Sequence, residues 1–118
     1  MSIKNALASV AVKNLNAAIE WYAKVLGKQP DYRPMPEVAE WKFERGGWLQ
    51  VYQLPERAGS GSFTLAVSNV DEHVTQLTNL GIDTTQRSSA TKVKTLMIAD
   101  PDGNHIAFAE TIDTSMAR

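Results

Sequence analysis

The sequence predicts an α+β protein built from two copies of a β-α-β-β-β module. First, the chain repeats itself, because Val10-Ala-Val-Lys-Asn-Leu-Asn returns about 55 residues later as Leu65-Ala-Val-Ser-Asn-Val-Asp. Second, an amphipathic segment follows each copy and ends at a glycine. Third, short extended runs follow each segment. Since neither half is long enough to bury its own sheet, we expect the halves to pair, within one chain or across a dimer.

The first half is expected to span about residues 5–54. An apolar run at 6–12 predicts the first strand, and Asn14 or Asn16 is a candidate N-cap for the helix that follows. Gly27 suits the left-handed position after the helix. The apolar stripe of this helix comprises Leu15, Ile19, Tyr22, Val25 and Leu26. Extended runs are then predicted at 29–33, 39–45 and 48–54, with a tight turn at Gly46-Gly47 between the last two.

The second half is expected to span about residues 62–112, after a Gly- and Pro-containing linker at 55–61. Asn69 or Asp71 is the candidate N-cap of its helix, and Gly81 follows the helix end. The stripe of this helix comprises Val70, Val74, Leu77 and Leu80, and extended runs are predicted at 83–87, 93–99 and 105–112. His73, beside Glu72, is interpreted as a solvated residue of the helix surface. Residues 113–118 carry no pattern.

Composition excludes several classes of function. A length of 118 residues favours one domain over the whole chain, 1–118. A net charge of −1 argues against a nucleic-acid partner. The absence of cysteine excludes a disulfide scaffold, a thiolate metal site and a cysteine nucleophile. No run approaches the roughly 18 apolar residues of a membrane-spanning helix, so we expect a cytoplasmic protein without a membrane partner.

Three stretches resemble the vicinal oxygen chelate superfamily, which includes glyoxalase I, bleomycin-resistance proteins and ring-cleaving dioxygenases. They are Val12-Lys-Asn-Leu, Trp21-Tyr-Ala-Lys-Val-Leu-Gly27 and Asp100-Pro-Asp-Gly-Asn-His-Ile106. The resemblance extends over nearly the whole chain and implies a curved mixed sheet around a cleft. It also implies a homodimer, because small members of this superfamily usually complete their clefts across a dimer interface.

In the metal-dependent members, four side chains from the first and fourth strands of each half bind one divalent cation, and they are typically His, Glu, His and Glu. The corresponding positions here are Leu7, Gln50, Ser62 and Ala107. Leucine and alanine cannot coordinate a metal, and neutral Ser or Gln oxygens seldom anchor a transition metal alone. The resemblance therefore implies a cleft without a metal, and we expect no other cofactor.

Strand alternation indicates which side chains line the cleft instead. Trp48 and Tyr52 share a strand face with Gln50, and His105 shares one with Ala107. The predicted ligand contacts are Trp48, Gln50, Tyr52, Ser62, His105 and Ala107, with Trp41 as a further candidate. In this interpretation the aromatic rings stack on the ligand, the polar groups orient it and Ala107 leaves room. Glu37, Glu40 and Glu44 are interpreted as parts of a solvated strand face.

The predicted function is metal-independent binding of a small, largely apolar or aromatic organic molecule, as in antibiotic sequestration or ligand sensing. This function needs no catalytic residue, and none is assigned. Two alternatives stay open. One is a lyase or isomerase of the glyoxalase type with an atypical or absent metal site. The other is a dimeric interaction module without a ligand.

Overall fold

The computed structural model describes residues 2–112, so segment 113–118 lies outside the described residues. The chain forms two units of the same topology. One unit holds residues 2–61 together with Pro101–Asn104. The other holds Ser62–Asp100 and residues 105–112. No helix of the described residues is long and apolar enough to cross a membrane.

The first unit contains a four-stranded sheet and one helix. Its elements are β1 (Leu7–Val12), α1 (Leu15–Leu26), β2 (Tyr32–Met35), β3 (Val38–Lys42) and β4 (Trp48–Gln53), followed by a 3-10 turn at Pro55–Arg57. The strand order is β1-β4-β3-β2. β1 runs parallel to β4, and the other pairs are antiparallel.

The second unit repeats this arrangement. Its elements are β5 (Ser62–Ala66), α2 (Val70–Asn79), β6 (Arg87–Ser89), β7 (Val93–Ala99) and β8 (His105–Thr111). The strand order is β5-β8-β7-β6, with β5 parallel to β8 and antiparallel pairs elsewhere. The predicted α+β class and the two β-α-β-β-β modules are confirmed.

The helix ends follow from local chemistry. The side chain of Asn14 accepts a hydrogen bond from the Ala17 N–H at 3.0 Å, and Asn69 accepts one from the Glu72 N–H at 3.2 Å. Of the alternatives in the sequence, Asn14 and Asn69 are therefore the N-caps. Gly27 ends α1 in the left-handed region, with φ of 81°.

The edge strands begin later than predicted. β2 begins at Tyr32 and β6 at Arg87, whereas runs from residues 29 and 83 were expected. All residues of both strands are exposed, so no alternation of buried and exposed residues marks their ends. Before β6, the Asp83 carboxylate accepts hydrogen bonds from the N–H and the hydroxyl of Thr85, which favours a local turn over a strand.

Helix α1 covers one face of the first sheet, where it packs against β3 and β4. Tyr22 of α1 and Trp41 of β3 are both fully buried, with ring centroids 6.0 Å apart. The Trp41 indole N–H donates to the Lys28 carbonyl at 2.9 Å, so its polar atom is satisfied inside the core. Residues 2–61 supply no second α-helix for the opposite face of this sheet.

Helix α2 covers one face of the second sheet, where it packs against β7 and β8. The His73 ring lies against the Phe108 ring, with centroids 5.0 Å apart and planes tilted by 34°. Within the described chain, His73 Nδ1 is buried without a hydrogen-bond partner. Burial lowers the pKa of His73, while the Glu72 charge opposes that shift. His73 is therefore half-buried against Phe108, which corrects its interpretation as a fully solvated residue of the helix surface.

The Asp100-Pro-Asp-Gly-Asn motif ends in a buried asparagine of the first unit. The Asn104 side chain donates to the Ala11 carbonyl and accepts from the Gly61 N–H, both at 2.8 Å. The neighbouring Asp102 carboxylate accepts from the Lys13 N–H at 2.9 Å. Through these bonds, the turn between β7 and β8 is attached to the end of β1 and to the residue that precedes β5.

Candidate ligand-binding face

The first sheet carries the larger collection of aromatic side chains on the face that α1 leaves uncovered. Strand register places these residues on it, and we call them the aromatic face: Leu7, Ser9 and Ala11 of β1; Trp48, Gln50 and Tyr52 of β4; Val38, Glu40 and Lys42 of β3; Tyr32 and Met35 of β2. Tyr32 is 59% exposed and Met35 56% exposed, and the Trp48 and Tyr52 side chains are half-buried. Aromatic and apolar atoms are thus available to a ligand.

A row of three polar side chains crosses the centre of this face. Ser9 Oγ donates to Gln50 Oε1 at 3.2 Å, and Gln50 Nε2 donates to Glu40 Oε2 at 2.8 Å. The register places these residues side by side on β1, β4 and β3. We call Ser9, Gln50 and Glu40 the polar row. Because both ends of the Gln50 amide are bonded, its orientation is set.

Lys42 lies beside the polar row. Its Nζ sits 5.9 Å from the centroid of the Trp48 ring, within the range of a cation–π contact. Trp48 pairs in register with both Lys42 and Leu7. One end of the aromatic face therefore combines an indole with the ammonium group of an exposed lysine.

The second sheet has a different uncovered face, which we call the small-residue face. It comprises Ser62, Thr64 and Ala66 of β5; His105, Ala107 and Ala109 of β8; Thr95, Met97 and Ala99 of β7. His105 is exposed and Ala107 is half-buried. Short side chains leave room on this face and supply neutral hydrogen-bonding groups.

The predicted site residues divide between these two faces. Trp48, Gln50 and Tyr52 lie together on the aromatic face. Ser62, His105 and Ala107 lie together on the small-residue face, with Ser62 directly opposite His105 in register. Within each sheet, the structure therefore brings together the residues that strand alternation had grouped.

The placement of Trp41 requires a correction. Trp41 pairs in register with Leu49, and both are fully buried on the face that α1 covers. Alternation along β3 turns Glu40 toward the aromatic face and Trp41 away from it. Trp41 is therefore a core residue, because its ring fills the space beneath α1.

Glu40 is the member of this face that sequence reasoning missed. It was interpreted as part of a solvated strand face, but its side chain is half-buried and hydrogen-bonded to Gln50. The available signal was the alternation of Ala39 and Trp41 with Glu40, since two apolar residues at that spacing indicate a covered face. The sequence does not show whether Glu40 or Trp41 shares a sheet face with Gln50, because that depends on the register between β3 and β4.

The four positions that hold the metal in other superfamily members do not fit a divalent cation here. Leu7 pairs with Trp48, two residues before Gln50, and Ser62 pairs with His105, two residues before Ala107. The two positions of each module are thus related by the same two-residue shift in register. This supports the assignment of all four to the metal-ligand positions of the superfamily. The donors are two neutral oxygens, which seldom anchor a transition metal without a carboxylate or imidazole beside them. Among residues 2–112, no cluster of three or more His, Asp or Glu side chains could hold a metal.

Comparisons with known proteins agree with this fold. The glyoxalase-like domain model matches residues 8–109. The glyoxalase / bleomycin resistance protein from Catenulispora acidiphila is 34% identical, with 91% of this chain and 97% of that chain covered and a TM-score of 0.82. Fold and matched region define a member of the vicinal oxygen chelate superfamily. Within it, the chain belongs to the glyoxalase-like domain family.

More distant structures share the fold. TnmS3, an antibiotic binding protein from Streptomyces sp. CB03234, is 22% identical over 94% of this chain and 98% of that chain, with a TM-score of 0.80. A lactoylglutathione lyase from Agrobacterium tumefaciens is 20% identical over 93% and 94%, with a TM-score of 0.76. No curated protein matches the chain. Structures that share this fold thus include one named for antibiotic binding and one named as a lyase.

Proposed function

We propose that the protein binds a small, largely apolar or aromatic organic molecule on the aromatic face, without a metal ion. The observation that carries the proposal is the combination of half-buried Trp48 and Tyr52 rings with a bonded polar row between them. Rings provide stacking area, and a small number of fixed polar groups orient a ligand.

The spacing of the rings favours a ligand of several fused rings. Trp48 and Tyr52 are four residues apart on β4, about 13 Å at the usual rise of a strand. A flat ligand that lies along β4 contacts both rings and covers Gln50. Antibiotic sequestration is one form of this function, and the shared fold of the antibiotic binding protein TnmS3 supports it. The predicted homodimer, and ligand contacts by Ser62, His105 and Ala107, stay predictions.

Replacing Trp48 tests the proposal. We expect Trp48→Leu to lower the affinity for a flat aromatic compound such as acridine about tenfold, because the leucine cannot stack. The measurement is calorimetric titration of protein treated with EDTA. Trp21→Leu is the matched control, because Trp21 lies on α1, beside Tyr22 on the covered side of the sheet. Equal losses in both variants, with intact folding, would contradict the proposal.

A metal titration distinguishes this function from a metal-dependent enzyme of the glyoxalase type. We expect Ni²⁺, Zn²⁺, Mn²⁺, Fe²⁺ and Co²⁺ to leave the melting temperature of EDTA-treated protein unchanged. A metal at 100 times its dissociation constant would add about 2.7 kcal/mol of stability, which is several degrees for a domain of this size. A saturable increase of that size would favour the enzyme over metal-free binding.

A further inference from the structure

We propose that the ligand carries a positively charged nitrogen group, and that the Glu40 carboxylate binds it. This inference rests on the proposed function and names the chemical class of the ligand. Its basis is the arrangement of donors, acceptors and charges on the aromatic face.

The polar row offers many more acceptors than donors. The Ser9 hydroxyl proton is used on Gln50, and one Gln50 N–H is used on Glu40. The only donor that the row still offers a ligand is one N–H of Gln50. The acceptors that it offers are lone pairs on Ser9 Oγ, Gln50 Oε1 and both Glu40 oxygens. A complementary ligand therefore brings hydrogen-bond donors.

The orientation of Gln50 reinforces this preference. If the amide flipped, its oxygen would face the Glu40 carboxylate, and the bond of 2.8 Å between them would become a repulsion. Ser9 also donates to Gln50 Oε1 in the observed orientation. The row consequently presents the same acceptor-rich surface before any ligand arrives, and that preorganisation favours binding of a donor.

The nearby cations do not neutralise Glu40. The Lys42 ammonium lies over the Trp48 ring, and no ion pair joins it to Glu40 within residues 2–112. The Arg33 guanidinium donates to the carbonyls of Val38 and Pro36, both at 3.0 Å. The Lys28 ammonium contacts Asp31 and the Lys42 carbonyl instead. The charge of Glu40 is thus available to a ligand.

A neutral ligand that covers this face would remove water from the Glu40 carboxylate without replacing it. Burial of an unpaired charge is costly, whereas a ligand cation restores a charge-assisted hydrogen bond. The rings of Tyr52 and Tyr32 favour the same class, because aromatic faces attract cations. Stacking and charge therefore select an aromatic cation over its neutral or anionic analogue.

Three probes with one ring system test the inference: 9-aminoacridine, which is a cation at neutral pH, neutral acridine, and the acridine-9-carboxylate anion. Calorimetric titrations of the wild-type chain should give the order cation, neutral, anion, with the cation about tenfold tighter than acridine. Glu40→Gln keeps an acceptor for Gln50 and removes the charge, so it should remove most of the difference and leave only the smaller preference that the rings provide. Glu37→Gln is the matched control, because exposed Glu37 precedes β3 and loses the same charge away from the row.

The outcomes separate this inference from the proposed function. If all three probes bind the wild-type chain equally, or if Glu40→Gln keeps the full tenfold preference for the cation, the inference is wrong while aromatic binding stands. If no probe binds, both are wrong. A further test needs no variant: the preference of the wild-type chain for the cation over neutral acridine should decrease as the NaCl concentration rises, because salt screens the Glu40 charge. A preference independent of salt would also overturn the assignment to Glu40.

Discussion

The two modules share their topology and differ on the face that their helix leaves uncovered. In β4, that face carries Trp48, Gln50 and Tyr52. In β8, the equivalent face carries His105, Ala107 and Ala109, in the same register to a parallel first strand. Since both modules fold alike, these side chains are not needed for the topology. The difference teaches that the helix-covered face determines folding, whereas the uncovered face is free to specialise.

The hairpins of the two modules also differ. The turn between β3 and β4 closes through the Gly46 N–H and the Phe43 carbonyl, at 3.0 Å. The turn between β7 and β8 instead ends at Asn104, which is fully buried and bonded to the backbone of the first unit. The first turn has an exposed side-chain contact, from Asn5 to the Gly46 carbonyl, whereas the second turn is part of the buried core of the first unit.

The largest effect on stability is expected from a substitution in the β7–β8 hairpin, compared with one in the β3–β4 hairpin. Asn104→Ala leaves the Gly61 N–H and the Ala11 carbonyl without their partner, which should cost about 3 kcal/mol of unfolding free energy. Gly47→Ala in the other hairpin should change stability by less than about 0.5 kcal/mol, because nothing lies within 4 Å of the added methyl. Urea denaturation of both variants measures the contrast, and equal costs would contradict it.

A smaller effect is expected from comparing the uncovered faces. Tyr52→Leu should weaken acridine binding about tenfold, through loss of a stacking ring. His105→Leu, at the position equivalent to Trp48, should change it by less than about twofold, because the small-residue face lies outside the proposed binding site. Titration calorimetry with acridine on both variants measures the two losses of affinity. A greater loss with His105→Leu would move the centre of the binding site to the small-residue face.

The smallest effect concerns pH and α2. The pKa of His73 is lowered from 6.5 by burial, so the folded state favours the neutral ring. Its stabilising contribution is present above pH 6.5 and is lost as pH falls through the lowered pKa. Because the ring is partly solvated, the loss should stay below about 1 kcal/mol.

His73→Phe keeps an aromatic ring against Phe108 and removes the titration. Between pH 7.5 and pH 5, its melting temperature should therefore fall less than that of the wild-type chain. The equivalent position in α1 is the buried Ala18, which has no titrating group. A pH dependence that is the same in both proteins would show that His73 does not contribute.

Much of the fold was predictable because its signals are local. The caps at Asn14 and Asn69 and the glycine after α1 follow from residue type and position. The late starts of β2 and β6 were not predictable, since exposed edge strands carry no burial pattern. The burial of His73 depends on Phe108, a residue far along the chain, and no local pattern indicated it.

The candidate site was predictable in part. Strand alternation placed Trp48, Gln50 and Tyr52 on one face, because alternation within a strand is a local property. The same rule could not relate β3 to β4, so Trp41 was included and Glu40 was overlooked. Register between strands depends on hydrogen bonds across the sheet, and a shift of one residue exchanges the two faces.

By itself, the sequence determined the two modules, the helix ends and the neutral or apolar side chains at Leu7, Gln50, Ser62 and Ala107. Each of these depends only on residue type and on spacing along the chain. The tertiary structure alone decided that Ser9, Gln50 and Glu40 form one row. It also decided that a turn late in the chain completes the core of the first unit. Both depend on contacts between distant segments, which exist only once the strands are paired and the helices are packed.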